Sequence, residues 1–139
     1  MYEKAFAGQA GIAKLPFNSA DRKNAYWWYP IILDIDKLNI EAPEFLKRLQ
    51  AKKVPCYGIQ WPEAYEEKAY REKQGFGSAN FPFQSTEYTR ESLDYTKILC
   101  PVAKLLRAKT ICLFLHPTWE KEHIQYCIDK VMEVLAAAR

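Results

Sequence analysis

The side chains of this 139-residue sequence that could do chemistry unaided are its four cysteines, its two histidines and one dense run of charges. Cys56, Cys100, Cys112 and Cys127 fall at wide, irregular intervals with no C-x-x-C pair, and only His116 and His123 accompany them. Neither a disulfide framework nor a zinc site is expected from that arithmetic. Cys112 and Cys127 lie inside apolar stretches, where a thiol behaves as a small hydrophobe, so both are expected buried and reduced, in a cytoplasmic setting. Glu66, Glu67 and Glu72, with Lys68, Arg71 and Lys73, could be read as a general-base site. Mixed signs at helical spacing instead describe a solvated face laced with i,i+4 pairs. Trp27, Trp28 and Tyr29 could stack nucleic-acid bases on a sheet, but no basic groove accompanies the rings and core packing is expected.

Around these residues the sequence lays out its elements. Residues 1–24 hold Gly8, Gly11, Pro16 and the polar run Asn18-Ser19-Ala20-Asp21-Arg22, with a period of neither two nor 3.6, and read as an irregular arm. Residues 25–36, AYWWYPIILDID, form a continuous aromatic and β-branched run that suits a strand covered on both faces, with Pro30 marking an edge or bulge. Asn39 as cap and Pro43 in the first turn predict a helix over 42–52. Residues 54–59 read as a second strand, and Gly58 and Pro62 bracket a turn into a partly helical PEAYEEKAYREK. Residues 75–91 predict a long loop. Helical spacing returns over 93–108, with Pro101 placing the true start near Cys100. Residues 110–115 form a strand. Thr118 then caps a C-terminal helix whose apolar face is Ile124, Ile128, Val131 and Leu135. No internal repeat is visible. This order describes an α+β domain spanning 25–139, a small antiparallel or mixed sheet with helices packed on one side.

Composition admits that reading and removes others. The chain is 49% hydrophobic and 27% charged, close to globular averages, which argues against disordered, collagen-like and coiled-coil classes. A net charge of +3, spread without a block, gives no reason to expect nucleic acid. Met1-Tyr2-Glu3-Lys4 leads into no apolar signal core, and the longest strongly apolar run, 25–33, is too short to cross a bilayer.

The order of elements, joined to particular residues, carries a resemblance. Residues 26–34 resemble an aromatic "YYxYP" strand, and residues 44–58 are similar to a helix followed by a "GIPxxxxY" segment. Cys100-Pro101-Val102-Ala103 resembles a "CPVAE" helix start, and Leu113-Phe114-Leu115-His116-Pro117 resembles an "LPLHP" strand end. Together, over nearly all of the chain after Lys23, they look like the C-terminal small domain of the DegT/DnrJ/EryC1/StrS family of pyridoxal-phosphate (PLP) sugar aminotransferases, enzymes of fold type I.

The resemblance implies a domain that helps cover the site of an enzyme transferring an amino group from glutamate or glutamine to a keto sugar or keto-cyclitol. In that family the PLP Schiff-base lysine, the acidic partner of the pyridine nitrogen and the phosphate loop lie in a large domain whose motifs are not found here. No cofactor bound by this chain alone, and no catalytic residue or metal ligand within it, is therefore expected. The positions matching the family's substrate-facing segment are Tyr57, Gln60, Trp61 and Tyr65: an aromatic face stacks on a sugar while a phenol or amide orients its hydroxyls. The segment departs from the family's "YPxPLH" pattern, reading Gln60-Trp61-Pro62-Glu63-Ala64-Tyr65 with no final histidine. The resemblance makes His116 a turn residue. The expected partner is a large domain or a dimer mate, with homo-oligomers in view and neither nucleic acid nor membrane. The alternative is a non-catalytic interaction or self-association module.

Overall fold

A computed structural model describes residues 1–78, 80–83 and 94–139, which fall into two compact units: Met1–Ile59 with Leu105–Arg139, and Gln60–Lys104. The expected loop over 75–91 and the start of helical spacing at Leu93 lie partly outside the described residues.

The first unit is a four-stranded antiparallel sheet in the order β1-β2-β4-β3, made of β1 (Ile12–Lys14), β2 (Trp28–Leu33), β3 (Cys56–Gly58) and β4 (Thr110–Phe114). On one face Tyr29, Ile31, Leu33, Cys56, Ile111 and Leu113 meet the helices α1 (Tyr2–Phe6), α2 (Ala42–Ala51) and α5 (Lys121–Ala137). Phe6, Phe45, Leu49 and Leu135 are fully buried in that layer, each such side chain contributing about 1.5–3 kcal/mol of transfer free energy. This is the expected α+β arrangement.

Strand β2 departs from the expected cover on both faces. Its residues alternate between half-buried and buried, so Trp28, Pro30 and Ile32 point to the side away from the helices. Trp27, expected in the core, is 72% exposed. Pro30 lies opposite Cys112 on β4 and beyond the end of β1, which pairs only with Ile32 and Leu33. On that side β2 is locally an edge, where a missing N–H is tolerated.

The stretch 1–24 is not an irregular arm throughout. Tyr2 and Phe6, one helical turn apart on α1, stack at 5.6 Å and are buried in the core, and β1 extends the sheet. A five-residue helix is too short to show a period and stands by tertiary packing alone. Gly11 makes the passage between these elements at φ +87°, a conformation glycine adopts without steric cost.

Helix α2 begins after Glu41 instead of Asn39, with Pro43 in its first turn as expected. Its C-terminus closes on Lys53 at φ 59°, where Val54 N–H reaches Leu49 C=O at 3.1 Å, a Schellman-type end. Helix α5 begins after Glu120 instead of Thr118.

The second unit contains a 3-10 turn at Ala64–Glu66, α3 (Lys68–Arg71), a 3-10 turn at Tyr95–Lys97 and the start of α4 (Pro101–Lys109). Tyr70, Phe83 and Tyr95 pack edge-on and tilted about one another at 5.4–6.1 Å. The two units divide at Gln60 and Lys104. No described helix is long and apolar enough to cross a membrane.

Candidate functional site

Alternation along a strand places Tyr57, the centre of β3, on the sheet face opposite the helices, where it lies across from Cys112. Its ring meets the edge of Trp28 at 5.0 Å and 79°, and Trp27 in turn lies flat on Trp28 at 4.9 Å and 13°. Trp28 on β2, Tyr57 on β3 and Trp27 just before β2 thus form one aromatic surface. Burial, and then the neighbouring Cys112, push the Tyr57 phenol above its ordinary value, so at neutral pH it is a hydrogen-bond donor and acceptor without charge. The sequence pointed to Tyr57 through the resemblance alone. It missed the ring contacts because the unbroken aromatic run hides which side each ring takes.

Gln60, Trp61 and Tyr65 belong to the second unit. Gln60 is exposed and Trp61 is 59% exposed. Tyr65 sits in the 3-10 turn, and its hydroxyl accepts the Cys100 N–H at 3.2 Å. From the same turn Glu66 pairs with Lys104 at 2.5 Å, and that contact raises the lysine above its ordinary value. Tyr65 and Glu66 therefore tie the turn to the beginning of α4. Lys68 and Glu72 form a looser i,i+4 pair at 3.8 Å, both well exposed, in keeping with a solvated face.

The cysteines are free. Cys56, Cys112 and Cys127 are buried, and burial pushes the Cys56 thiol up to about 12 and that of Cys112 up to about 11. Thiols held that way are poor nucleophiles at neutral pH. Cys100 is exposed. Among the described residues no group of three or more histidine, cysteine, aspartate or glutamate side chains could hold a metal ion.

A Schiff-base lysine needs a desolvated or electropositive setting that lowers its pKa. None of the chain's lysines is buried, and Lys37, Lys104 and Lys130 are shifted the other way, chiefly by hydrogen bonds to Asp34, Glu66 and Glu133.

No family profile matches the sequence, and no curated protein matches it. The fold does have a solved counterpart. The crystal structure of the aminotransferase TlmJ from Streptoalloteichus hindustanus superposes with a TM-score of 0.63 at 19% identity, over 98% of this chain and 29% of that one. The chain thus has an aminotransferase-like fold and spans less than a third of that enzyme's length.

Proposed function

We propose that these residues are the small, substrate-covering domain of a PLP-dependent aminotransferase acting on a keto sugar or keto-cyclitol, and that they depend on a large domain for the cofactor. The observation that carries this reading is the asymmetric match: nearly all of this chain corresponds to 29% of an aminotransferase. The resemblance carried by the motif order supports the finer part, the sugar-aminotransferase class.

In this reading the aromatic surface of Trp27, Trp28 and Tyr57 in the first unit supplies contacts to the substrate. Tyr65 holds the segment that carries Gln60 and Trp61. The lysines of this chain remain surface charges. Cofactor chemistry belongs to residues outside this sequence.

Borohydride reduction of the purified 139-residue chain with PLP tests the division of labour, with peptide mass mapping as the readout. The expected result is no pyridoxyl-lysine on any peptide. A stoichiometric adduct on one lysine would overturn it.

A second reading, a self-association or interaction module, draws on Trp27, whose 72% exposure leaves a large apolar ring in water. Sedimentation equilibrium over a wide concentration range tests the second reading. A monomer at every concentration removes the second reading, and concentration-dependent dimers support it.

A further inference from the structure

The two histidines of the chain flank one turn, between the end of β4 and the start of α5, and both use the same ring atom in the same way. His116 Nδ1 accepts the backbone N–H of Thr118 at 3.3 Å and contacts the Thr118 hydroxyl at 2.7 Å. His123 Nδ1 accepts the backbone N–H of Glu120 at 3.2 Å, while the Glu120 side chain accepts from the backbone of His123. This is a reciprocal capping box in which histidine stands where glutamate or glutamine usually does. An Nδ1 that accepts a hydrogen bond must carry a lone pair, a role that an imidazole protonated on that nitrogen cannot fill. Aromatic contacts tie the two ends together: Phe114 lies against His116 at 6.1 Å and Trp119 at 5.8 Å, and Trp119 lies against His123 at 6.2 Å.

We propose that this turn is a proton-operated latch: protonation of His116 and His123 withdraws both acceptors and loosens the turn between β4 and α5. The consequence follows from the lone pair. A doubly protonated imidazole has only donors, so the N–H groups of Thr118 and Glu120 lose their partners together. Glu120 and Glu122, on the helix that carries His123, attract the charged ring. Lys121 on that helix, Lys53 across the adjoining cavity and the positive end of the helix dipole repel it. None of them restores the lone pair. Tyr126 and Cys127 line the same cavity, of about 320 Å³, with Lys53, Pro55, Trp119, Glu122 and His123. Phe114 and Thr118 are the groups against His116. Release of the turn frees the Trp119 wall of that cavity, so acidification alters its shape.

Two acceptors that cannot titrate make the test specific. Glutamine is a usual partner in a capping box, and an asparagine carbonyl readily accepts the N–H two residues on. The double variant H116N/H123Q therefore keeps both hydrogen bonds and lacks the proton switch. Amide exchange of the intact chain, corrected for intrinsic rates, is followed from about pH 7.5 to about pH 5, where imidazole changes charge. Wild type is expected to lose protection at Thr118 and Glu120 by roughly fivefold or more, the scale of one net hydrogen bond. The core amides of β4 are expected to hold, and the double variant to stay flat. Imidazole nitrogen spectra should show Nε2–H tautomers at the upper pH. Equal protection of wild type at both ends, or an equal loss in the double variant, overturns the latch, as do Nδ1–H tautomers at the upper pH.

Discussion

Replacing Gly11 by alanine tests whether the first fourteen residues belong to the core. Gly11 stands at φ +87°, and a Cβ built there would lie 2.6 Å from Leu38 Cδ2 and 3.1 Å from Leu135 Cδ2. Leu135 is fully buried and Leu38 nearly so, so neither can swing into solvent. An L-residue in a left-handed conformation costs about 1–2 kcal/mol. Overpacking a filled core costs about 1–3 kcal/mol more. Gly11→Ala should therefore lose about 2–5 kcal/mol, a large share of the roughly 5–15 kcal/mol that holds a domain of this size together. Gly8→Ala is the internal control: its φ is +70° but a Cβ there meets nothing within 4 Å, so only the backbone part, about 1–2 kcal/mol, should appear. Urea unfolding followed by circular dichroism gives both values, with m unchanged if only the native state is affected. A Gly11→Ala loss below about 0.5 kcal/mol, the level of an ordinary surface change, would refute the packing.

Two further outcomes follow from the side chains. In a thiol assay with a disulfide reagent at neutral pH, Cys100 should react quickly in the native protein while Cys56, Cys112 and Cys127 react only once urea exposes them; rapid modification of Cys56 would contradict its burial. Burial pushes the Tyr29 phenol up to about 12 and Tyr2 further still, so neither should ionise with the exposed tyrosines. A raised folded value means that the native state keeps protons which the unfolded chain releases above about pH 10. The stabilisation is complete below that point and is lost as pH rises through the folded values. Absorbance titration should show a late component coincident with base unfolding, and a single component completed before unfolding would contradict it.

Much of this architecture is readable from residue order, and the exceptions share a cause. The apolar spacing of Ile124, Ile128, Val131 and Leu135 shows because α5 is long enough to repeat its face, and Pro101 marks the start of α4 because the ring lacks an N–H. Helix α1 leaves no such trace, since Tyr2 and Phe6 are a single i,i+4 pair whose meaning comes from the distant α5. In β2 the one-sided burial is hidden by Trp28, Pro30 and Ile32, which are apolar although they face away from the helices. Asn39 and Thr118 are good capping residues that lost to Glu41 and Glu120. At α5 the choice depended on His123 returning a bond to Glu120, a reciprocity that composition does not announce. The candidate site shows the same division. The resemblance directed attention to Tyr57 and Tyr65. Only geometry shows that Tyr57 shares a surface with Trp27 and Trp28 and that the Tyr65 hydroxyl is engaged by Cys100 N–H.

The central claim, that these residues serve an aminotransferase whose cofactor is held elsewhere, is tested most directly by sequencing the DNA around the Met1 codon. The expected result is a frame, continuous with this one or immediately beside it, that encodes a PLP-binding large domain with its Schiff-base lysine. A stop codon close upstream, with no such frame on either side, would contradict it.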